Sequence, residues 1–147
     1  LRILNQKMKD RELHKFYLCL LINKPKKDNA ILSDYLIKNE KTNKVTVLRN
    51  EKQGAKKILT KYSVLETNNN LTLCEVELLT GRTHQIRCHM SYLGYPLAGD
   101  DLYGGSLEHI SRQALHCSKV IFTHPISNEK IVLESSLPFD IKYLLKY

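Results

Sequence analysis

Residues 14–22 constrain the fold most, because this predicted strand is apolar on both of its faces. Successive side chains of a strand point to opposite sides. One face therefore carries Phe16, Leu18, Leu20 and Ile22, and the other carries Tyr17, Cys19 and Leu21. A strand of this kind is covered by protein on both sides. We predict that it lies in the middle of a sheet.

Other apolar alternations predict three hairpins in addition to this strand. The predicted pairs are residues 31–37 with 44–49 across a turn at 39–43, residues 56–66 with 71–79 across three asparagines at 68–70, and residues 119–124 with 130–135 across a turn at 125–128. The asparagines suit a turn because Asn tolerates left-handed backbone. The imperfect alternation in residues 56–66 indicates a bulge.

Helical spacing is confined to short segments. Ile86, Met90 and Leu93 recur at helical intervals within residues 83–93 and are predicted to pack on the sheet, and Gly94 is placed to end this helix. Further helical stretches are predicted in residues 1–12 and 110–116 and from Pro138 to near Tyr147. The sum is an α+β domain, with a mostly antiparallel mixed sheet and a few flanking helices.

Composition narrows the class of protein. A length of 147 residues amounts to one domain, and a net charge of +8 is typical of chains that bind nucleic acid, although a solubilising surface has the same composition. The four cysteines are Cys19, Cys74, Cys88 and Cys117. They form no C-x-x-C pair, which favours free thiols in a reducing compartment, the cytoplasm, over a zinc site or a disulfide framework. Because a membrane helix needs about 18 apolar residues in a row, we expect no membrane partner.

The densest group of cationic and hydrogen-bonding residues lies between two apolar runs. It reads Gly81-Arg82-Thr83-His84-Gln85-Ile86-Arg87, and the loop Pro96-Leu97-Ala98-Gly99-Asp100 and the pair Tyr103-Gly104 follow it. Glycine marks a turn because it enters left-handed conformations easily. Two arginines around Thr, His and Gln suit contacts with a phosphate and a carboxylate. The same residues also suit a solvated basic helix start, and chemistry alone leaves both interpretations open.

The order of these residues resembles the signature of the RluA-type pseudouridine synthases, which reads G-R-T-H-Q-I-R, H-P-L-x-G-D and Y-G. Further matches are Lys15-Phe16-Tyr17 to the family's K-x-Y strand, Leu115-His116-Cys117 with Phe122-Thr123-His124-Pro125 to its L-H-A…F-x-H-P segment, and Leu137-Pro138 to its closing L-P. Tyr95 replaces the usual His, and Cys117 replaces the usual Ala. The resemblance covers almost the whole chain.

The resemblance implies a function and a site. It implies that specific uridines of RNA, in tRNA or rRNA, are isomerised to pseudouridine without a metal or another cofactor. Arg87 is expected to pair with a nucleophilic Asp, and Tyr17 to stack against the target uracil. The residues predicted to bind RNA, by holding phosphate at the helix start and positioning the base, are Arg82, Thr83, His84 and Gln85. Asp100 is expected to hold its loop.

The family's H-R-L-D motif, which carries the nucleophile, does not occur in this sequence. It should precede the K-x-Y strand, where Asp10 stands in a different context, Met8-Lys9-Asp10-Arg11. We therefore interpret residues 1–147 as one partial domain, the C-terminal portion of a catalytic domain, and expect it to be inactive alone.

Two other functions compete with this interpretation. The first is a non-catalytic RNA-binding protein derived from the same fold, which would lack the nucleophile by nature. The second is a metal-dependent hydrolase that uses His84, His89 and Asp100. We disfavour it because zinc sites need converging ligands, and the helical spacing of five residues splays the two histidines apart.

Overall fold

The structure is a computed structural model that describes residues 13–68 and 70–145. The strands in these residues are β1 (Leu13–Ile22), β2 (Asn29–Lys38), β3 (Val45–Leu48), β4 (Lys56–Asn68), β5 (Leu71–Leu78), β6 (Leu115–Thr123) and β7 (Lys130–Glu134). They form one sheet in the order β3-β2-β4-β5-β1-β6-β7, and all neighbours pair antiparallel. The helices are α1 (Gln85–Leu93), α2 (Phe139–Leu144) and a 3-10 helix (Asp101–Tyr103). The predicted α+β class is confirmed.

The central position predicted for residues 14–22 is confirmed by β1. This strand pairs with β5 on one side and β6 on the other. Cys19 and Leu21 are fully buried in a cluster that includes residues of α1, and Leu20 is fully buried on the opposite face with Ile141 of α2. Each helix therefore covers one face of the same strand.

All three predicted hairpins are present. β2 pairs with β3, β4 with β5, and β6 with β7. The register of β4 against β5 shifts between Val64 and Glu66, which is the bulge that the imperfect alternation indicated. A second shift, between Phe16 and Tyr17 of β1, faces β6.

Helix α1 begins two residues later than predicted. His84 has a φ of 53°, in the left-handed region, so helical backbone starts only at Gln85. Ile86 and Met90 are buried in the core as predicted, but Leu93 is 37% exposed, so its predicted packing is wrong. Gly94, with a φ of 107°, ends the helix as predicted.

The helical turn predicted for residues 110–116 is wrong. Residues 111–112 form a bend, residues 113–114 have no regular secondary structure, and residues 115–116 begin β6. Leu20 donates its N–H to the carbonyl of Ala114 (3.0 Å), and Ala114 donates its own N–H to the carbonyl of Ala98 (2.9 Å). These long-range partners replace the local hydrogen bonds of a helix.

The C-terminal helix is α2, which follows Pro138 as predicted and ends at Leu144. Its predicted continuation to Tyr147, and the helix predicted in residues 1–12, lie outside the described residues.

The loop after α1 crosses the end of β1 and brings Asp100 under the helix. Ala98 donates its N–H to Leu20 (2.9 Å), and Ile22 donates its N–H to Pro96 (2.9 Å). Gly99 has a φ of 77°, and a Cβ there would collide with the carbonyl of Arg112. Glycine at this position lets the loop pack closely against residues 110–112.

Candidate active site

Arg87 of α1 forms a two-point ion pair with Asp100. Its Nε donates to Asp100 Oδ2 (2.9 Å) and its Nη2 donates to Asp100 Oδ1 (2.8 Å). The Asp100 side chain is fully buried, whereas that of Arg87 keeps 15% of its surface exposed. Of the five N–H groups of a guanidinium, three have no protein acceptor among the described residues. Arg87 is therefore held in place by Asp100 and can donate further hydrogen bonds to a second anion.

The same pair keeps Arg87 charged. The hydrogen bonds to Asp100 raise the pKa of Arg87, which outweighs the opposing effect of burial. A buried carboxylate that accepts two charge-assisted hydrogen bonds also fixes the plane of the guanidinium. The predicted role of Asp100 in holding its loop agrees with this geometry, and the structure adds that Asp100 holds Arg87.

Tyr103 joins Arg87 to His84. The guanidinium carbon of Arg87 lies 5.2 Å from the centroid of the Tyr103 ring, within reach of a cation–π interaction. His84 Nδ1 lies 2.7 Å from the Tyr103 hydroxyl, and the two rings meet edge to face. Burial, and then the neighbouring charge of Arg87, lower the pKa of His84, which favours the neutral imidazole.

Gln85 is 2% exposed, and its amide is saturated by hydrogen bonds within the protein. Its oxygen accepts from the Thr80 hydroxyl (2.8 Å) and from the Arg82 N–H (3.1 Å). Its nitrogen donates to the Leu59 carbonyl (2.9 Å) and to Thr60 Oγ1 (2.9 Å). A Gln amide offers two acceptor sites and two donor hydrogens, so no group remains for RNA. The structure gives Gln85 a positioning role where the sequence predicted an RNA contact.

Arg82 and Thr83 lie on the exposed part of the same loop. The Arg82 N–H is bound to Gln85, whereas its side chain is exposed to solvent. The loop thus presents one solvent-exposed cation, which precedes Arg87 by five residues in the chain.

Sequence reasoning missed a buried chain of hydrogen bonds behind this loop. His89 Nδ1 lies 2.7 Å from Thr60 Oγ1, and His89 Nε2 lies 2.8 Å from Asp34 Oδ2. The Asp34 carboxylate only accepts, so His89 Nε2–H donates to it, and Nδ1 of the neutral ring accepts from the Thr60 hydroxyl. The four-residue spacing of Gln85 and His89 places both on one helix face, which is the signal that could have shown their common role.

Tyr17 lies on the face of β1 that α1 covers. It is half-buried and packs against the cluster of Cys19, Leu21 and Ile86. It stands opposite Cys117 of β6, and burial, with a smaller effect of Cys117, raises the pKa of the Tyr17 hydroxyl. The structure brings Arg87 into contact with Asp100 and Tyr103, and Tyr103 into contact with His84. Among the described residues, no hydrogen bond joins Tyr17 to this group.

The three candidate metal ligands have separate partners. His84 contacts Tyr103, His89 lies between Thr60 and Asp34, and Asp100 binds Arg87. Residues 13–68 and 70–145 contain no group of three or more His, Cys, Asp or Glu side chains arranged to hold a metal ion. Within the same residues, no helix has the length and hydropathy needed to cross a membrane.

Comparison with known proteins identifies a family. Residues 1–92 match the family described as RNA pseudouridylate synthase. The chain is 48% identical over 95 residues to "Uncharacterized RNA pseudouridine synthase YhcT" of Bacillus subtilis. This alignment covers 63% of this chain and 32% of that protein. It is 34% identical over 152 residues to "Ribosomal large subunit pseudouridine synthase D" of Nitrosomonas europaea, covering 97% of this chain and 43% of the relative.

A solved structure shares the fold. The human protein "RNA Pseudouridylate Synthase Domain Containing 1" superposes with a TM-score of 0.75 at 28% identity, over 91% of this chain and 58% of the human one. The chain spans less than half of the length of the two curated relatives, 32% of one and 43% of the other.

Proposed function

The chain belongs to the RNA pseudouridylate synthase family, in its RluA-type branch, and from this premise we propose that it forms one side of the pocket in which a protein with a complete catalytic domain isomerises uridine in RNA to pseudouridine. The reaction breaks the N-glycosidic bond, rotates the uracil and rejoins it to the ribose through C5. Product and substrate contain the same atoms, so the isomerisation requires no co-substrate or redox cofactor.

The ion pair of Arg87 with buried Asp100 carries this proposal. A carboxylate nucleophile sheltered from water needs a fixed cation to stay ionised. Arg87 is held in place by Asp100 and keeps three N–H groups for another acceptor. We assign that acceptor to the Asp of an H-R-L-D motif, which this sequence does not contain.

Tyr17 supplies an aromatic surface for the target base. It is half-buried on the face of the sheet that carries α1. An enzyme that modifies a base takes it out of the stack and receives it in a close-fitting pocket. The flat ring of Tyr17 suits stacking against uracil there.

RNA is the proposed substrate, either tRNA or rRNA. The name of the Nitrosomonas relative, which refers to the large ribosomal subunit, favours rRNA. Exposed Arg82 and Thr83 would contact the RNA beside the pocket. All four cysteines are free thiols, which favours a reducing compartment and hence the cytoplasm.

The 147-residue chain by itself should form no pseudouridine, because it lacks the nucleophile motif, and should bind RNA weakly. The measurement is incubation of the purified chain with cellular RNA, followed by mass-spectrometric or chemical detection of pseudouridine. Detection of new pseudouridine would contradict the assigned need for H-R-L-D.

In a protein that carries the complete catalytic domain, Arg87→Ala should abolish turnover and change RNA affinity only modestly, because most of the RNA contact lies elsewhere. Arg112→Ala is the matched control, since Arg112 is an exposed arginine that pairs with Asp140. Turnover and RNA binding are measured for both variants. Near-normal turnover of the Arg87→Ala variant would refute the role of Arg87.

The absence of H-R-L-D from this sequence also supports the alternative of a non-catalytic RNA-binding protein. The gene sequence upstream of the Leu1 codon separates the two. An open reading frame that encodes His-Arg-Leu-Asp supports the enzyme, and a start codon directly upstream without that motif supports the RNA-binding protein.

A further inference from the structure

Tyr103 contacts more of the candidate site than any sequence motif indicates. Its ring lies under the Arg87 guanidinium, its hydroxyl meets His84 Nδ1, and the same hydroxyl accepts the N–H of Val45 in β3 (3.2 Å). Its carbonyl accepts a hydrogen bond from Ser91 of α1. The Tyr103 side chain, which is 8% exposed, therefore links His84, helix α1 and the edge strand β3.

The hydroxyl proton of Tyr103 determines which nitrogen of His84 carries hydrogen. A Tyr hydroxyl has a single proton to donate. The Val45 N–H already points at this oxygen, and His84 Nδ1 is its other polar neighbour among the described residues. If Nδ1 also carried hydrogen, the oxygen would receive two donors and its own buried proton would have no acceptor, which is unfavourable.

We propose that Tyr103 is a positioning residue that makes His84 Nδ1 an acceptor and so places the imidazole hydrogen on Nε2. His84 then offers a neutral donor between two arginines along the chain, Arg82 of the loop and Arg87 of α1. Because His84 Nδ1 is hydrogen-bonded to Tyr103, the Nε2–H points away from Tyr103, on the opposite side of the half-buried imidazole ring.

A neutral donor suits an oxygen acceptor of RNA, and this part of the inference rests on the proposed function. The acceptor is either a carbonyl of the target base or a phosphate oxygen. Both are oxygen acceptors, so the experiment distinguishes them by comparing RNA that carries bases with RNA that lacks them.

The tautomer is tested on the protein without RNA. Two-dimensional 15N–1H spectra distinguish protonated from unprotonated imidazole nitrogens, and at pH 7.5 His84 should carry its proton on Nε2. Tyr103→Phe keeps the ring under Arg87 but removes the hydroxyl, and should produce a mixture with a detectable Nδ1–H population.

Tyr62→Phe is the matched control for this experiment. Tyr62 is also buried, but its hydroxyl donates to the Lys27 carbonyl, away from His84, so the tautomer of His84 should not change. A proton on Nδ1 in the wild-type protein, or an unchanged tautomer in a folded Tyr103→Phe variant, overturns the proposal. The wild-type spectrum decides even if the variant does not fold.

The RNA contact is tested by binding, in the protein with the complete catalytic domain. His84→Ala should weaken binding of a uridine-rich single-stranded oligonucleotide by up to roughly tenfold, the worth of one hydrogen bond. His84→Gln, which keeps a neutral amide donor at similar reach, should restore part of the affinity.

An abasic copy of the oligonucleotide identifies the acceptor. A penalty for His84→Ala on both RNAs assigns the acceptor to a phosphate, and a penalty only on the RNA with bases assigns it to a base carbonyl. No penalty on either RNA overturns the contact. Because the tautomer is measured without RNA or turnover, this result is distinguishable from failure of the proposed enzymatic function.

Discussion

At the scale of single residues, the pair Arg87–Asp100 is the most consequential contact. Asp100 is fully buried with two charge-assisted hydrogen bonds from one guanidinium. Removing one partner of a buried ion pair leaves an uncompensated charge and typically costs about 3–5 kcal/mol. Since Arg87 keeps some contact with water, the cost here lies at the lower end of that range.

Asp100→Asn should therefore lower the free energy of unfolding by about 3 kcal/mol or somewhat less. The measurement is urea unfolding followed by circular dichroism. Asp101→Asn is the matched control, because Asp101 is the next residue and is exposed, and it should change stability by less than about 0.5 kcal/mol. Equal stability of the two variants would contradict the structural role of Asp100.

At the scale of elements, helix α1 is anchored to the sheet by polar groups as well as by its apolar face. Gln85 ties its first turn to Leu59 and Thr60 of β4, and His89 extends the chain of hydrogen bonds to Asp34 of β2. Each link is buried or half-buried, where an unpaired polar group is costly. The position of Arg87, between Gln85 and His89 in the chain, depends on both anchors.

This anchoring predicts a pH dependence of stability. Burial lowers the pKa of His89 below 6.5, against the opposing effect of the hydrogen bond to Asp34. The unfolded chain then binds a proton more readily than the folded protein, so the contribution of His89 is complete above about pH 6.5 and is lost as the pH falls towards its folded pKa. For one group, the loss is at most about 1.4 kcal/mol per pH unit.

Urea unfolding at pH 7.5 and 5.5 measures this effect. The comparison is with His89→Gln, which cannot be protonated, so that effects of pH on the rest of the protein cancel. The wild-type protein should lose more stability on acidification than the variant does. An equal loss in both proteins would exclude His89 as the source.

At the scale of the whole molecule, the net charge of +8 should dominate the long-range attraction between the protein and RNA. Protein cations that replace counterions on RNA make the affinity fall as salt rises. Exposed Arg82 is positioned beside the site, whereas exposed Arg112 is already neutralised by Asp140.

Arg82→Ala should reduce the slope of log affinity against log salt concentration by about 0.7, the value of one phosphate contact on single-stranded nucleic acid. Fluorescence anisotropy with a labelled oligonucleotide at several salt concentrations provides the slope. Arg112→Ala should leave the slope nearly unchanged. An unchanged slope for Arg82→Ala would mean that this side chain does not touch phosphate.

The sequence by itself determined the features that depend on neighbouring residues. Two apolar faces identified β1 as a central strand, and Gly94 marked the end of α1, because alternation and backbone freedom are local properties. The family resemblance drew attention to Arg87 and Tyr17, whose roles with a nucleophile and a base stay predictions.

The tertiary structure decided which groups form hydrogen bonds with each other. Asp100 reaches Arg87 only because the loop crosses β1, and Tyr103 reaches the N–H of Val45 across 58 residues because β3 folds against the helix. Long-range hydrogen bonds likewise replaced the helical turn predicted for residues 110–116 and turned Gln85 inward. A hydrogen bond depends on where two groups meet in space, and the spacing of residues along the chain does not contain that information.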